Sequence, residues 1–347
     1  MNDQRKNLIA FVDFDKTMLD FNKQTETASF YDPSGDEVKD IEIEIREDPL
    51  TGKTSRLLDK PIPSPEKPDM SDVEKKGFCP FCPETIDQVG ARDTKVLSGK
   101  KLEQNEAVLL ANVTPYSKHS LVIRLTEEHY LPLDEFRDEH FLDGFKLVLA
   151  YLKKMDLESE LSPALIMNYL KPAGSSIIHP HMQMLVSNRS MDYQRRIIES
   201  AERFYKEKDE NYWDTLLKEE KNGERWVGET GGLNWVTAYA PRGFEHVKGI
   251  TLKHFIEFDD QMLRDLSQGI VKVLKGYNDL DRNSFNFSIF IPPLNVKERF
   301  ATVIDMITRS NLDRFYRADD FAMPKLMDEP YCNRKPEELA EKMKSRF

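Results

Sequence analysis

The sequence predicts an α+β protein whose second half repeats its first. Residues 179–184 alternate polar and apolar side chains with the period of two that a β-strand requires. Apolar residues recur at helical spacing between Asp134 and Lys154, which indicates one long amphipathic helix. The segment 233–241 resembles 108–115, and further segments follow at a similar offset of roughly 125 residues, which indicates an internal repeat.

Composition and charge restrict the class of protein. The chain has 347 residues, enough for two domains or one large two-part body, and 39% of them are hydrophobic. Its formal net charge of −11 argues against nonspecific binding to nucleic acid. We find no apolar run long enough for a membrane span or a signal peptide, and three cysteines make no disulfide framework. We therefore expect a cytoplasmic protein without nucleic-acid or membrane partners.

Residues 1–45 are interpreted as an N-terminal extension. A candidate strand, Leu8–Val12, runs into the D-x-D-x-T sequence at 13–17, which resembles the first motif of haloacid-dehalogenase-type phosphatases. In those enzymes the first Asp, here Asp13, is the nucleophile, but further motifs within a doubly wound domain are also needed. The alternative, which we favour, is an extension strand that ends in a charged turn.

A C-x-x-C pair, Cys79 and Cys82, indicates a metal site of the zinc-knuckle kind. Its spacing lets two thiolates bind one ion. Two thiolates do not complete a tetrahedral site, so two more ligands must come from distant parts of the chain. The alternative is a pair of buried thiols without a metal.

The strongest functional signal lies around the alternating strand. His179, His181 and Gln183 fall on one face of it, and Pro180 suggests an edge or mouth that a ligand can approach. A turn just upstream could hold an anion through its N–H and hydroxyl groups. That turn contains Gly174, Ser175 and Ser176. Two imidazoles and a carboxamide on one face, after such a turn, indicate a functional site.

This segment resembles a known active site. His-Pro-His-x-Gln, preceded by Asn168 and by Gly-Ser-Ser, is similar to the active-site segment of galactose-1-phosphate uridylyltransferases of the histidine-triad superfamily. The related enzymes are ADP-glucose and dinucleoside-polyphosphate phosphorylases. The resemblance begins near Arg46, where the sequence R-x-x-P-L-T-G occurs, and it extends to the C-terminus.

The resemblance implies a fold of tandem duplicated histidine-triad-like units, each an antiparallel or mixed sheet with flanking helices. It places a catalytic half with the zinc knuckle at 46–190 and a second half at 191–347. Independently of the resemblance, the polar, charged run from Ser190 to Lys221, at the start of the second half, is expected to be a helical surface excursion.

It also implies an activity, the transfer of a nucleoside monophosphate through a covalent nucleotidyl-histidine. His181 is then the nucleophile, and Gln183 donates its amide hydrogen to a nonbridging oxygen. The phosphate region is bound by Asn168, Gly174, Ser175 and Ser176. The leading expectation is UMP exchange between a nucleotide sugar and a sugar 1-phosphate. The alternatives are a phosphorylase that uses inorganic phosphate and, in a different class, a nucleotide-binding sensor.

The resemblance further implies one structural zinc ion, held by Cys79, Cys82, His129 and His179. His119 competes with His129 because K-H-S-L-V-I also resembles a histidine-triad strand entry. The family's second metal site is expected to be absent, since Asn286 and its neighbours stand where that site would need histidines. The family's phosphate-binding arginines also have no clear counterpart, and Arg56 or Lys60 are the candidates to replace them. A homodimer is a further expectation.

Overall fold

The computed structural model describes residues 19–58, 69–74, 77–155, 161–296, 299–312 and 318–347. The D-x-D-x-T segment and Lys60 lie outside these ranges. The strands are β1 (Lys23–Tyr31), β2 (Val38–Glu47), β3 (Thr54–Leu58), β4 (Leu102–Gln104), β5 (Ala107–Ala111), β6 (His119–Arg124), β7 (Ser162–Tyr169), β8 (His181–Ser187), β9 (Trp226–Thr230), β10 (Leu233–Thr237), β11 (Phe244–Thr251), β12 (Phe285–Phe290), β13 (Thr302–Thr308) and β14 (Tyr331–Cys332). The helices are α1 (Ser71–Glu74), α2 (Pro83–Val89), α3 (Asp138–Leu152), α4 (Asp192–Lys208), α5 (Tyr212–Glu220), α6 (Asp260–Asp279), α7 (Ala322–Leu326) and α8 (Pro336–Lys344).

The main sheet has ten strands in the order β4-β5-β6-β8-β7-β12-β13-β11-β10-β9. The second five strands repeat the order of the first five in reverse, so the predicted duplication and the α+β class are confirmed. Instead of one sheet per half, the two halves share one sheet, because β7 pairs antiparallel with β12, with Ile166 opposite Ser288. This pairing leaves neither half with an open inner edge.

Helices α3 and α6 cover one face of this sheet. Met182, Met184 and Val186 of β8 point into the same core as Phe141 and Phe145 of α3, as expected for alternate residues of a strand. Helix α3 begins four residues later than predicted from the sequence. A turn over 133–135 precedes it, closed by a hydrogen bond between the backbone of Glu135 and Pro132.

The opposite face is covered differently in the two halves. In the second half, α4 and α5 pack their apolar side chains on the sheet, with Ile197 and Trp213 in one cluster with Val236, Ile250 and Val303. The segment 190–221 is therefore helical as predicted, but the expectation of a surface excursion is wrong. In the first half, the C-x-x-C segment lies on this face, and part of the face stays open beside it, where Ile166 and Gln183 are only half-buried.

A smaller sheet, β1-β2-β3-β14, joins the start of the described chain to residues near its end. The boundaries proposed at 45/46 and 190/191 stay predictions. Residue 46 lies within β2, and residue 190 lies between β8 and α4. Within the described ranges, no helix has both the length and the apolar character needed to cross a bilayer.

Candidate active site and metal centre

Four potential metal ligands converge beside the open part of the sheet. The ligand atoms of Cys79, Cys82, His129 and His179 all lie within 4.8 Å of one another. Sγ of Cys82 is 3.4 Å from Nδ1 of His129 and 3.7 Å from Nδ1 of His179, and Sγ of Cys79 is 3.7 Å from the latter. A tetrahedral zinc site with Zn–S and Zn–N bonds of about 2.3 and 2.0 Å has ligand separations of about 3.3–3.8 Å. The donor set and its spacing therefore fit one metal ion.

His179 is held in the tautomer that a metal ligand needs. Its Nε2–H donates to the backbone carbonyl of Thr126 at 2.8 Å, which leaves the Nδ1 lone pair directed at the two sulfur atoms. Such an outer hydrogen bond is the usual support of a metal-bound histidine. Burial lowers the pKa of His179 to about 4, so the ring is neutral at neutral pH.

His119, the competing third ligand, lies elsewhere. It is buried on β6 with Leu121 and Ile123, on the helix-covered face of the sheet, and its Nδ1 is 3.1 Å from the hydroxyl of Tyr151. The geometry therefore groups His129 with the knuckle and leaves His119 out.

A second group, Glu106, Glu128 and His140, also brings potential ligand atoms within 4.8 Å. Nδ1 of His140, however, accepts the backbone N–H of Arg137 at 3.2 Å. This bond places the ring proton on Nε2 in the neutral tautomer, so neither ring nitrogen offers a free lone pair. The arrangement does not suit a metal ion.

His181 lies at the first position of β8, buried and next to the metal cluster. Its Nδ1–H donates to the backbone carbonyl of His179 at 2.7 Å. The ring of Phe81, from the C-x-x-C segment, packs edge-on against it, with 5.1 Å between centroids. Burial lowers the pKa of His181. The imidazole is therefore neutral, oriented, and carries its lone pair on Nε2.

Two amides share the face of His181. Gln183 is two residues along β8, between Val122 of β6 and Ile166 of β7, and it is half-buried. Met167 pairs with Met182, so one step further along the antiparallel pair Asn168 lies opposite His181. Opposite residues have Cβ atoms about 4.5–5.5 Å apart, within reach of one ligand phosphate.

The Gly174 turn approaches the same end of β7. Gly174 has φ of 85°, the left-handed conformation that favours glycine, and follows a short 3₁₀ helix at Lys171–Ala173. The hydroxyl of Ser175 is turned inward and donates to the carbonyl of Ile177 at 2.6 Å, whereas Ser176 is exposed. The ligand-binding roles of these residues stay predictions.

Arginines of the N-terminal segment are engaged elsewhere. Arg46 is buried and makes a two-pronged ion pair with Glu337 of α8, and Arg56 pairs with Glu329 and Glu26. Sequence reasoning assigned no role to two residues that do reach the site's surroundings. Asn286 of β12 donates a hydrogen bond to Asn168, and Arg309, which follows β13, donates one to Asn286. They come from the second half of the chain, and only the β7–β12 pairing brings them near.

Comparison with solved structures identifies the fold. The chain is similar to an ADP-glucose phosphorylase from Arabidopsis thaliana with bound ADP-glucose (TM-score 0.68, 15% identity, 87% of this chain and 98% of that chain). It is equally similar to a galactose-1-phosphate-uridylyltransferase-like protein from the same plant (TM-score 0.67, 16% identity, 86% and 98%). A uridylyltransferase mutant gives a TM-score of 0.65 at 17% identity, over 87% and 97% of the two chains. The chain thus has a uridylyltransferase-like fold.

The particular family follows from sequence. An uncharacterized protein of Archaeoglobus fulgidus is 40% identical over 328 residues, which cover 94% of this chain and 98% of that protein. This chain therefore belongs to one family with the Archaeoglobus protein, a family that has the uridylyltransferase-like fold. No family model matches the sequence.

Proposed function

We propose that the protein is a nucleotidyltransferase that carries a nucleoside monophosphate on Nε2 of His181. The observation that carries this proposal is the hydrogen bond from His181 Nδ1–H to the carbonyl of His179 at 2.7 Å. With the proton held on Nδ1, the lone pair on Nε2 is free to attack phosphorus. The same bond stabilises the positive charge that the ring gains in the attack.

The reaction proceeds in two displacements. Nε2 of His181 forms a P–N bond to the α-phosphorus of a nucleotide donor, and the bond from that phosphorus to the bridging oxygen breaks. The leaving phosphate departs with both bonding electrons. A second phosphate then attacks the same phosphorus, breaks the P–N bond and restores the neutral imidazole. One histidine serving both displacements predicts ping-pong kinetics.

The residues next to His181 can stabilise the negative charge that develops on the phosphate oxygens. Gln183 and Asn168 flank His181 on the same face, where their amide N–H groups can donate to nonbridging oxygens. Gly174, Ser175 and Ser176 form the turn at the end of β7, and its N–H groups are candidates for the second phosphate.

For the substrates, we infer a nucleotide sugar as donor and a sugar 1-phosphate as acceptor, with UMP as the transferred group. The nearest alternative is a phosphorylase in which inorganic phosphate is the acceptor and adenylate the transferred group. Both reactions use the same intermediate on His181. A nucleotide sensor would need no nucleophile, and the buried, oriented His181 argues against that role.

The ion of the Cys79, Cys82, His129 and His179 cluster is inferred to be zinc with a structural role. Two thiolates and two imidazoles are a closed tetrahedral set, with no position left for substrate. Bound zinc would link the C-x-x-C segment to His179, which lies two residues before His181. A homodimer and a cytoplasmic location stay predictions, the former testable by light scattering in solution.

The decisive experiment is covalent labelling without an acceptor. The protein is incubated separately with radiolabelled UDP-glucose, ADP-glucose and diadenosine polyphosphate, and the labelled peptide is mapped by mass spectrometry. A nucleotide adduct on the peptide that contains His181 is expected, and the donor that forms it identifies the base. Adding glucose 1-phosphate, galactose 1-phosphate or inorganic phosphate to the isolated adduct then identifies the acceptor. No adduct from any donor would contradict the proposal.

A further inference from the structure

The side-chain amide of Asn286 connects the two halves of the protein beside the candidate active site. Its Nδ2 lies 2.6 Å from Oδ1 of Asn168 and 2.9 Å from the backbone carbonyl of Ala173. Its Oδ1 lies 2.9 Å from Nη1 of Arg309. All three partners are on or next to neighbouring strands, β7, β12 and β13, near the centre of the main sheet.

The chemistry of the partners sets the direction of every hydrogen bond. The carbonyl of Ala173 can only accept, so the atom of Asn286 that faces it must be the amide nitrogen. The guanidinium of Arg309 can only donate, so the atom that faces it must be the amide oxygen. Since Asn286 directs its nitrogen at Asn168, the atom of Asn168 in this bond must be its oxygen.

The orientation of Asn168 is thereby determined. Its oxygen is taken by Asn286, and its NH₂ group is the end that a ligand meets. Asn168 lies one step beyond the Met167–Met182 pair, in line with His181 and on the same face of the sheet, so its two N–H donors are presented on the side of the nucleophile. The opposite orientation would direct an amide oxygen at an anionic phosphate, which is repulsive.

Arg309 is held in place by a carboxylate. Its Nε and Nη2 donate to Asp319 at 2.9 and 2.5 Å, and Asp319 also accepts the backbone N–H of Ser310 at 2.9 Å. The guanidinium edge that faces Asp319 is therefore occupied, and Nη1 is the group that reaches Asn286. This arrangement suits an orienting role better than direct capture of a phosphate.

We propose that Arg309 and Asn286 are positioning residues for nucleotidyl transfer: they fix the amide of Asn168 so that its NH₂ group faces the phosphate next to His181. The inference rests on the proposed function, and it assigns the second half of the chain a part in the chemistry of the first half. The hydrogen bond from Asn286 to the carbonyl of Ala173 also positions the turn at Gly174.

The test is a double-mutant cycle on the rate of His181 nucleotidylation, measured in a single turnover with the saturating donor that labels the wild type. Arg309→Gln should slow the reaction by about tenfold to a hundredfold, the range for a hydrogen bond to a charged group. In the Asn168→Ala background the same change should have little further effect, because the group that Arg309 orients is gone. Arg309→Lys, which keeps a donor for Asn286, should recover part of the rate.

Arg242→Gln is the matched control. Arg242 lines the same surface cleft as Arg309, of about 340 Å³, but it stacks on the ring of Tyr193. If Arg309 contributed only positive charge to the cleft, both variants would be slow. If Arg309 orients the Asn168 amide, Arg309→Gln is slow and Arg242→Gln keeps the wild-type rate. Asn286→Asp is a second variant, which removes the donor to Asn168 and should slow the reaction at least as much as Arg309→Gln.

Two results would overturn the inference: a wild-type rate in Arg309→Gln, or an equal slowing by this change with and without the Asn168 side chain. In either case the proposed function would still stand, because the wild type forms the adduct. If the wild type forms no adduct, the proposed function fails, and the orientation is decided by NMR of the side-chain amides. In that case the Asn168 NH₂ signals should shift in Arg309→Gln and not in Arg242→Gln. Unchanged signals in both variants would refute the positioning role.

Discussion

The backbone carbonyl of His179 accepts the Nδ1–H of His181 at 2.7 Å. One residue therefore serves two sites: the ring of His179 faces the cysteines, and its carbonyl sets the tautomer of the candidate nucleophile. The C-x-x-C segment adds a second link through Phe81, whose ring packs against His181. Metal binding and the reactivity of His181 are expected to be coupled through these two contacts.

The first prediction concerns metal content. The purified protein should hold about one zinc ion per chain, bound by two thiolates and two imidazoles. Cys79→Ser and Cys82→Ser should lose the ion and lower the Tm, because binding of a structural zinc ion is coupled to folding. Elemental analysis by mass spectrometry and thermal unfolding provide the two measurements.

His119→Ala is the control for the third ligand, since His119 lies on the other face of the sheet. It should keep the full zinc content, whereas His129→Ala should lose most of it. The reverse pattern would show that the metal is held by a different set of residues. Loss of zinc should also slow adduct formation on His181, in proportion to the metal removed.

The second prediction concerns the nucleophile. His181→Gly should abolish the covalent adduct while nucleotide binding persists, because the proposed phosphate contacts of Ser175, Ser176 and the backbone groups of the Gly174 turn remain. The wild-type adduct should be labile in acid and stable in base, as a P–N bond is and a serine phosphoester is not. Isothermal titration and adduct mass measure the two properties separately. An adduct that survives in His181→Gly, or maps to His254, would disprove the assignment.

Part of the metal site follows from local pattern, because the C-x-x-C spacing indicates two ligands, whereas His129 and His179 were expected from the family resemblance. The C-x-x-C pair, His129 and His179 converge as predicted, because the knuckle and the start of β8 meet on one face of the sheet. Asn286 and Arg309 could not be found in this way. They approach Asn168 only because β7 and β12 pair across the two halves, a contact between residues 118 apart for Asn286 and Asn168 that no local period encodes.

The packing of residues 190–221 also could not be predicted from the sequence pattern. The period of α4 shows an apolar side but not the surface that covers it. That surface is formed by β10, β11 and β13, which lie later in the chain. The type of each element could thus be predicted from the sequence, whereas contacts between elements distant in sequence are seen only in the folded structure.

The third prediction concerns a partly buried charge cluster in the second half. Asp305 accepts hydrogen bonds from Lys248 at 2.5 Å and from Nε2–H of His246 at 2.8 Å. Asp305→Asn should lower the free energy of unfolding at pH 7 by about 1.5–3 kcal/mol, because the largely enclosed Lys248 ammonium loses its charged partner. The double variant Asp305→Leu/Lys248→Met removes both charges and should be less destabilised than the single one. Chemical denaturation measures both.

The same cluster predicts a dependence of stability on pH. The Lys248 ammonium and the His246 ring hold the pKa of Asp305 well below its usual range despite burial, and burial lowers the pKa of His246. The Asp305 contribution is fully present above about pH 4 and is lost as the pH falls below that value. The unfolded chain protonates His246 below about pH 6.5, which also favours unfolding. Wild-type stability should therefore fall more steeply than that of Asp305→Asn only below about pH 4. Between pH 7 and pH 4 the variant should fall at least as steeply, because the Asp305 carboxylate that raises the pKa of His246 is gone.

The fourth prediction concerns the D-x-D-x-T motif, which lies outside the described residues. If His181 carries the reaction, Asp13→Asn should leave nucleotidyl transfer within about twofold of the wild type, as is usual for a change outside the reacting groups. Phosphatase activity that disappears in Asp13→Asn and persists in His181→Gly would instead support the dehalogenase-type interpretation. Release of phosphate from a generic phosphomonoester measures that activity.

The last prediction concerns Gln183, two residues from His181 on the same face of β8. Its amide can donate to a nonbridging oxygen, where negative charge grows as the phosphorus is attacked. Gln183→Ala should still form the adduct, but formation and breakdown should each slow by about 10²-fold, the scale for losing one such donor. Gln183→Glu keeps the shape, replaces the donor with a negative charge, and should be at least as slow. Rapid-quench measurements of both half-reactions test this, and a wild-type rate for Gln183→Glu would show that Gln183 makes no hydrogen bond to the phosphate in the transition state.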